Sequence, residues 1–323
     1  MTAYIIRRLL SCALLVIMVS MVIFALIRML PGDPIELLVP RDEMVGITGE
    51  DIQEHMDALR REHGLDRPLP IQFANWFINM IRGDFGRSIV RGFDIGTELS
   101  SRMAVTLFLG SLAFIVSIIM GMFLGTISAI RRGKITDTVV TAIANIGITA
   151  PNFLIAILAI YIFGFRLGLL PIFGYQLPWH GNFAESIRQG IIPVFVLALG
   201  PLALTARQTR SSVLEVLNQD HVRTAWAKGG RERMVIFRHV LKNALTPVIT
   251  LQGNNIRFIF GGSAIIETIL VIPGVGSMLI AAMLSSDYPV VQAITVILTF
   301  ITVMVNLLVD LLYGWVDPRI QYS

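Results

Sequence analysis

The pattern of apolar and polar positions divides the chain into long hydrophobic runs separated by polar segments. The hydrocarbon core of a bilayer is about 30 Å thick, so a helix needs roughly 20 mostly apolar residues to cross it. Runs of about this length occupy residues 9–30, 105–130, 138–163, 191–206, 245–272 and 290–313. The pattern therefore predicts an all-α membrane protein with six transmembrane helices.

Several of these runs contain residues that disturb a regular helix. Pro151 and Asn152 lie within the third run and predict a kink there. The fourth run is short and carries Pro193 and Pro201. The fifth run is interrupted by polar residues near its middle. Residues 273–289, which follow it, are predicted to form a bent or re-entrant piece.

The polar segment between the first two runs, residues 31–104, is too long and too patterned for a simple linker. Apolar residues at helical spacing predict a short amphipathic helix over residues 50–64 and another apolar-faced segment over residues 71–81. The predicted organisation is a first transmembrane helix over residues 1–30, a small periplasmic helical insertion over residues 31–104, and a core over residues 105–323 with five further transmembrane helices.

Composition supports a membrane location. Hydrophobic residues make up 54% of the chain and charged residues 15%, and the mean hydropathy is +0.72. Soluble domains usually carry about 25% charged residues. A cleaved signal peptide is an alternative interpretation of the first run. It is disfavoured because the run is longer than a typical signal h-region and lacks a clear small-residue cleavage site.

The charge distribution indicates topology. The formal net charge is +4, which in a soluble protein can suggest a nucleic-acid partner. Here residues 1–8, 131–134 and 207–242 are basic, whereas the segment 31–104 is net acidic. The positive-inside rule then places both termini and the basic segments in the cytoplasm. We therefore expect a multi-pass membrane protein that contacts the lipid bilayer and no nucleic acid.

Catalytic and metal chemistry are not predicted for this chain. The sequence contains no Gly-rich phosphate loop of the Walker type, so any ATP hydrolysis must occur on another chain. It shows no Ser/His/Asp set or paired carboxylates at positions suited to catalysis. The single cysteine, Cys12, excludes an intrachain disulfide. His221 and His239 lack a further ligand at metal-binding spacing, and no cofactor is expected.

The most informative polar segment is a loop at about residues 207–243. Ser212 and Glu215 have the spacing of a capping box, which predicts that a helix begins there. Asp220 is placed to cap a second short helix over residues 221–228. Gly229 is free to end that helix in the left-handed conformation.

The second short helix is predicted to present Val222, Ala225 and Ala227, with Arg223 and Lys228 at its edges. One interpretation is a solvated loop that is basic only to fix topology. The other is a rigid helix that docks into a cleft of a partner protein. The second interpretation is favoured because an idle loop does not need this degree of order.

The sequence of this helix resembles the "EAA…G" motif of bacterial ABC importer permeases. Arg223 stands where the motif has Glu, and Thr224 stands where it has its first Ala. The pattern D-x-V-R-T-A-x-A-K-G, followed by R-H-x-L-x-N-A, resembles the peptide and nickel branch of that family. The matching residues are Asp220, Val222, Arg223, Thr224, Ala225, Ala227, Lys228, Gly229, Arg238, His239, Leu241, Asn243 and Ala244.

Other stretches extend this resemblance over nearly the whole chain. They are Leu30-Pro31-Gly32-Asp33-Pro34, Gly83-Asp84-Phe85-Gly86-Arg87-Ser88, Glu267, Pro273-Gly274-x-Gly276, Asp287-Tyr288-Pro289 with Gln292, Asn306-Leu307, Asp310, and Asp317-Pro318-Arg319-Ile320. One such motif is weak support, but an ordered set along the chain is specific.

The resemblance implies that the helix around residues 220–229 is a coupling helix, seated in a groove of a cytoplasmic ATPase subunit. It implies a second homologous permease, two ATP-binding subunits that bind ATP and Mg, and a periplasmic or lipid-anchored substrate-binding protein. The implied location is the bacterial cytoplasmic (inner) membrane. The implied activity is import of di- or oligopeptides, with nickel chelates, glutathione, opines or oligosaccharides as alternative cargoes of the branch.

Six polar residues lie within or beside the predicted spans, where polar groups are costly and often functional. They are Asn145, Gln252, Asn254, Asn255, Arg257 and Glu267. Some of them are candidates for lining a solute pathway. The alternative is that they form hydrogen bonds between helices. The sequence leaves both interpretations open.

Two other classes of protein compete with the permease subunit. A stand-alone secondary transporter or channel is expected to show inverted repeats and discontinuous helices in matching halves, and the sequence shows neither. A structural membrane scaffold has no need of the capped basic helix.

Overall fold

The computed structural model describes residues 2–29, 56–58, 61, 66–179 and 181–316. The predicted amphipathic helix over residues 50–64 and the motif at residues 317–320 lie largely or wholly outside these ranges. The described helices are α1 (Thr2–Met29), α2 (Leu69–Ile81), α3 (Ile95–Ile130), α4 (Ile135–Thr149), α5 (Asn152–Ala159), α6 (Phe183–Leu217), α7 (Asp220–Ala227), α8 (Glu232–Val235), α9 (Lys242–Ile269), α10 (Val275–Leu284) and α11 (Tyr288–Val316). Two π-helices, π1 (Ile160–Arg166) and π2 (Ile236–Leu241), continue α5 and connect α8 to α9.

The all-helical fold class is confirmed, but the number of six spans is not. Among the described residues, four helical segments are long and apolar enough to cross a membrane: Ile6–Met29, Ile95–Ile130, Phe183–Leu217 and Tyr288–Val309. A fifth span results if Ile135–Thr149 and Asn152–Arg166 are taken as one. The helix axis bends by 110° between these two pieces, so the kink predicted at Pro151 is present.

Packing divides the chain into two compact units, residues 1–103 with 278–307 and residues 104–277 with 308–323. In the first unit, α2 packs on α1 through aromatic rings. Phe24 of α1 is buried. Its ring lies 5.6 Å from that of Phe73 and 5.9 Å from that of Trp76. Aromatic pairs at such spacing add to the stabilisation that comes from burial alone.

Helix α3 begins at Ile95, ahead of the predicted start of the second run at residue 105. The Asp94 carboxylate caps it by accepting hydrogen bonds from the Thr97 amide at 2.8 Å and the Thr97 hydroxyl at 2.7 Å. These bonds hold the pKa of Asp94 below its ordinary value of 3.8. Ile95 and Leu99 are buried, which explains why the helix continues upstream of the long apolar run.

In the second unit, α6 is the central helix. It runs to Leu217, so the predicted end at Ala206 and the predicted helix start at Ser212 are wrong. Buried Ala206, Thr209, Val213 and Val216 are spaced by three or four residues, which keeps one face of the helix in the core. The capping-box spacing at Ser212 is therefore a coincidence within a continuous helix.

Two glycines allow α3 to approach α6 closely. A Cβ at Gly125 would lie 2.4 Å from the carbonyl oxygen of Ala206, and one at Gly121 would lie 2.7 Å from Cβ of Thr205. Small residues four apart are the usual means of close helix packing in membranes. The sequence G-x-x-x-G at these positions is thus part of the core of the second unit.

Helix α9 is continuous through the polar residues that were predicted to interrupt the fifth run. The side-chain amide of Gln252 donates a hydrogen bond to the Val248 carbonyl within the helix at 2.9 Å. Asn255 is fully buried and donates to the Thr205 hydroxyl of α6 at 3.0 Å. The side-chain amide groups of these two residues thus find acceptors inside the protein.

Candidate functional site

The predicted short helix after α6 is present as α7. Gly229 follows it with φ +79°, the left-handed conformation that glycine adopts without strain. The Gly230 amide closes the turn by donating to the Ala225 carbonyl at 3.2 Å. Gln219, not Asp220, occupies the N-cap position. Asp220 instead lies in the first turn, where a carboxylate interacts favourably with the helix dipole.

One face of α7 is buried against its own chain. Val222 is fully buried, and Ala225 packs beside it. They contact an apolar group that we call the valine cluster: Ala129, Val213, Val216, Val222, Val235, Val240 and Ala244. The prediction that Val222 and Ala225 are presented to a partner is therefore wrong. Residues three apart share a helix face, and this face anchors α7 to α6, α8, π2 and α9.

The opposite face of α7 is exposed. It carries His221, Arg223, Thr224, Trp226, Ala227 and Lys228, and we call it the outer face of α7. Trp226 is its large aromatic residue and is 39% exposed. Two further exposed apolar side chains follow in the next segments, Met234 of α8 and Phe237 of π2.

A partly buried ion pair joins α4 to α6. Arg210 of α6 donates through Nε and Nη2 to the two carboxylate oxygens of Asp137 at the start of α4, at 2.8 and 2.9 Å. The same carboxylate accepts from the Ser128 hydroxyl at 2.5 Å and the Gly133 amide at 3.0 Å. In the sequence, Arg210 is one of several basic residues in the segment predicted to be a loop. An acidic residue in the first turn of an apolar run was the available signal.

The six polar span residues fall into two groups. Gln252, Asn255 and Glu267 point into the interior of the second unit, and Asn255 joins Gln252 through a 3.0 Å hydrogen bond. For these three, the structure favours hydrogen bonding between helices. The other three, Asn145, Asn254 and Arg257, are exposed.

Exposed residues form a continuous band along α9, which we call the α9 stripe. It consists of Thr250, Asn254, Arg257, Phe258, Gly261, Ile265 and Thr268. Spacing by three or four residues places them on one side of the helix. A cavity of about 430 Å³ opens beside the stripe. The bend between α4 and α5 forms one wall of this cavity, and Phe258, Gly262 and Ile265 form another.

Glu267 fastens the end of α9 to α3 and α10. Its side chain is 2% exposed. It accepts hydrogen bonds from the Thr106 hydroxyl at 2.8 Å and the Ser277 amide at 3.1 Å. Thr106 in turn accepts from the Val275 amide at 2.9 Å. A Cβ at Gly274 would lie 2.3 Å from the carboxyl carbon of Glu267. We call this arrangement the Glu267 clasp.

The described part of the chain offers no metal site. In these ranges no group of three or more His, Cys, Asp or Glu side chains is placed to hold a metal ion. Cys12 is a free thiol.

A framework of long apolar helices is typical of an integral membrane protein. The sequence matches the family model described as "Binding-protein-dependent transport system inner membrane component" over residues 117–322. A second model, for the N-terminal part of such membrane components, matches residues 1–92. The chain belongs to this family of binding-protein-dependent transport permeases.

Curated relatives agree with this membership over their full length. The chain is 37% identical to the "Oligopeptide transport system permease protein AppB" of Bacillus subtilis, and the alignment covers 100% of both chains. It is also 37% identical to the "Probable peptide ABC transporter permease protein y4tP" of Sinorhizobium fredii, again with 100% coverage of both.

The fold is also similar to a solved structure described as inward facing conformations of the MetNI methionine ABC transporter. The TM-score is 0.55 at 17% identity, with 68% of this chain and 97% of that chain covered. At this identity the similarity concerns the fold alone.

Proposed function

We propose that this chain is a permease subunit of an ATP-driven importer of di- or oligopeptides and forms half of the translocation pathway. The observation that carries the proposal is α7, a short rigid helix with one face anchored by the valine cluster and the other exposed. The full-length similarity to permeases named for peptide transport supports the cargo. ATP and Mg bind on two partner ATPase subunits, and a second permease completes the pathway.

The outer face of α7 is the surface through which an ATPase subunit drives the permease. Trp226 is its large apolar residue, and tryptophan is enriched among residues that dominate binding energy. Thr224 and Ala227 are small enough to let a partner surface approach the helix. Met234 and Phe237 extend the apolar area. Val222 and Ala225, by contrast, transmit force inward because they contact the chain's own core.

Helices α8, π2 and α9 follow one another without a break from Glu232 to Ile269. At 1.5 Å per residue, this continuous rod is roughly 57 Å long. It begins beside α7 in the valine cluster and ends at the Glu267 clasp. We infer that movement of α7 is carried along this rod. The rod changes the exposure of the α9 stripe, where Asn254 and Arg257 line the pathway together with Asn145 of α4.

The basic segments and both termini face the cytoplasm of a bacterium, in keeping with the positive-inside rule. The chain resides in the inner membrane, and the insertion before α3 faces the periplasm. A periplasmic or lipid-anchored binding protein delivers the peptide, which is consistent with the family's description as binding-protein-dependent.

The test is a pull-down of the tagged chain in mild detergent after expression with its genomic neighbours. The recovered proteins are then identified by mass. Recovery of a second permease and ATPase chains is expected. Trp226→Glu should lose the ATPase chains while keeping the second permease. Phe173→Glu is the matched control. Phe173 is also an exposed aromatic residue, but it precedes α6 in the sequence, whereas Trp226 follows α6.

The recovered complex is then reconstituted into liposomes with its binding protein and a labelled tripeptide. ATP-dependent uptake by the wild type and by Phe173→Glu, but not by Trp226→Glu, supports the proposal. Recovery of this chain alone, with solute movement that needs no ATP, contradicts it in favour of a self-contained carrier. ATP-dependent uptake of nickel chelates without uptake of peptide supports the ATPase coupling and contradicts the peptide cargo.

A further inference from the structure

The cavity of about 430 Å³ beside the α9 stripe has a lining that is largely apolar. Its volume falls within the roughly 300–1,000 Å³ of typical small-molecule sites. Phe153 of α5, Leu204 of α6, and Phe258 and Ile265 of α9 supply apolar side chains. None of the described residues that line the cavity is charged. Because a charged group buried there would lack a partner, the cavity favours an uncharged occupant.

Three glycines keep this cavity open. Gly147 of α4, Gly200 of α6 and Gly262 of α9 all contribute to its lining. A Cβ at Gly200 would lie 3.1 Å from the ring of Phe258, so a side chain there would press on the aromatic wall. By contrast, nothing lies within 4 Å of the Cβ position of Gly262. The space over Gly262 is therefore room that a side chain of a ligand can enter.

The bend between α4 and α5 leaves backbone carbonyls without helical partners at the same cavity. In a continuous helix, the carbonyls of residues 147–149 would accept hydrogen bonds from the amides of residues 151–153. Pro151 has no amide hydrogen. After the bend of 110°, no backbone amide of α5 donates to a carbonyl of α4 within the described ranges. The last bond of α4 runs from the Ala150 amide to the Ile146 carbonyl at 2.8 Å, and the carbonyls beyond it need another donor.

These backbone groups decide between a lipid and a peptide as the occupant. At the depth of the bilayer, irregular backbone is tolerated only where it is buried in protein or lines a water-filled cavity. The hydrocarbon chain of a lipid has no hydrogen-bond donor and would leave the carbonyls unpaired. A short peptide carries amide donors beside its side chains. Asn152 also lines the cavity, and its side-chain amide can both donate and accept hydrogen bonds. The cavity is thus complementary to a peptide that carries an apolar side chain.

We propose that this cavity receives a bulky, uncharged apolar side chain of the peptide cargo, so that the permease itself takes part in selecting the cargo. The proposal rests on the proposed function and deepens it by naming the class of peptide. The side chain enters over Gly262 and contacts Phe258 and Ile265. Since each buried methylene group adds to the binding free energy, a leucine side chain gains more from this cavity than an alanine side chain.

The experiment measures the selectivity of the assembled complex in liposomes. ATP-dependent uptake is measured with the binding protein preloaded, at equal concentrations, with the tripeptide Ala-Leu-Ala or with Ala-Ala-Ala. The permease is the wild type, Gly262→Leu or Gly261→Leu. Gly261 is the matched control because its Cβ position is equally open but does not line the cavity. One binding protein serves all variants, so a change in the ratio of the two uptake rates originates in the permease.

We expect the wild type to take up the leucine peptide about tenfold faster than the alanine peptide, which is the selectivity that a hydrophobic pocket supplies. Gly262→Leu should abolish this preference, because its own side chain fills the cavity. Gly261→Leu should keep the ratio of the two rates within about twofold of the wild-type ratio. Phe258→Ala enlarges the cavity and is the second variant. It should raise uptake of Ala-Trp-Ala relative to Ala-Leu-Ala.

Four results would overturn the cavity proposal and leave the proposed function intact. The first is a wild type without preference between the two peptides. The second is equal loss of uptake of both peptides in an assembled Gly262→Leu complex. The third is an unchanged ratio in Phe258→Ala. The fourth is labelling of the cavity by a phospholipid with a photoreactive acyl chain but not by a photoreactive tripeptide. A wild-type complex that takes up neither peptide with ATP contradicts the proposed function itself.

Discussion

Arg210 on α6 donates hydrogen bonds to both carboxylate oxygens of Asp137 on α4, through Nε at 2.8 Å and Nη2 at 2.9 Å. Ser128, at the end of α3, donates to the same carboxylate. Three helices are therefore tied at one point. Val213, three residues beyond Arg210, belongs to the valine cluster that supports α7. Helix α7 thus rests on a base that this ion pair fixes.

Removal of one partner from this pair should destabilise the permease strongly. Asp137→Asn leaves the Arg210 guanidinium without its counter-charge, and breaking a buried pair costs about 3–5 kcal/mol. We expect a value near the lower end, about 3 kcal/mol, because the Arg210 side chain is 31% exposed. The measurement is the thermal midpoint of the purified permease in detergent.

The control for this prediction is Arg131→Gln, since Arg131 is an exposed arginine whose side chain forms a weak 3.4 Å hydrogen bond to Thr136. It should shift stability by less than about 0.5 kcal/mol. The double variant Asp137→Asn with Arg210→Gln should be less destabilised than the sum of the single variants. Strict additivity would mean that the two side chains do not interact energetically.

The Glu267 clasp predicts opposite outcomes at two glycines. Gly274→Ala places a methyl group against the Glu267 carboxyl group and should destabilise the protein by about 1–3 kcal/mol, as overpacking does. Gly261→Ala is the matched control because nothing lies within 4 Å of its Cβ position. Alanine favours an exposed helix over glycine by up to about 1 kcal/mol, so this variant should be neutral or stabilising. Equal thermal midpoints for the two variants would contradict the clasp.

The two faces of α7 should respond differently to truncation. Val222→Ala removes two buried methyl groups and should lower stability by roughly 1.5–2.5 kcal/mol. Trp226→Ala should leave the thermal midpoint of the isolated permease unchanged and weaken retention of the ATPase chains. The pair of measurements is a thermal midpoint and a pull-down on each variant. Loss of ATPase binding in Val222→Ala at full stability would mean that the assignment of the faces is inverted.

The cap at the start of α3 predicts a pH-dependent effect. Hydrogen bonds from Thr97 lower the pKa of Asp94 in the folded protein. A lowered pKa means that the carboxylate stabilises the fold fully above 3.8, its ordinary value. This stabilisation disappears as the pH falls through the lower folded value. Asp94→Ala should therefore melt earlier than the wild type at pH 7, and the two thermal midpoints should converge under strong acid.

Asp94→Ser supplies the rescue for this prediction, because a serine hydroxyl also accepts a hydrogen bond at an N-cap. It should restore much of the thermal midpoint at pH 7 without the acid dependence. If the thermal midpoints of the wild type and Asp94→Ala differ by the same amount from pH 7 down to strong acid, the carboxylate does not cap the helix.

Local patterns accounted for the elements but not for their limits. The proline at residue 151 predicted the bend between α4 and α5, and Gly229 predicted the left-handed end of α7. By contrast, α6 continues to Leu217 through a stretch that reads as a basic loop. The stretch remains helical because Thr209, Val213 and Val216 meet a core supplied by residues remote in the chain.

The same limit applies to the candidate site. The residues of the short helix were identifiable from the sequence, but which of them are buried and which are exposed was not. From the sequence, Val222 and Ala225 are predicted to form an apolar face that is available for docking. The valine cluster takes that face because Val235, Val240 and Ala244 return to it from beyond the turn at Gly229.

The sequence by itself determined the membrane class, the helical fold, the short helix that ends at Gly229 and the family resemblance. These depend on local composition, spacing and ordered motifs. Only the tertiary structure decided that Arg210 meets Asp137, that Glu267 clasps Thr106 and the start of α10, and that Asp287 accepts a hydrogen bond from Ser88. Each of these partners is chosen by helix packing, and hydrogen bonds between residues far apart in the chain leave no periodic trace in the sequence.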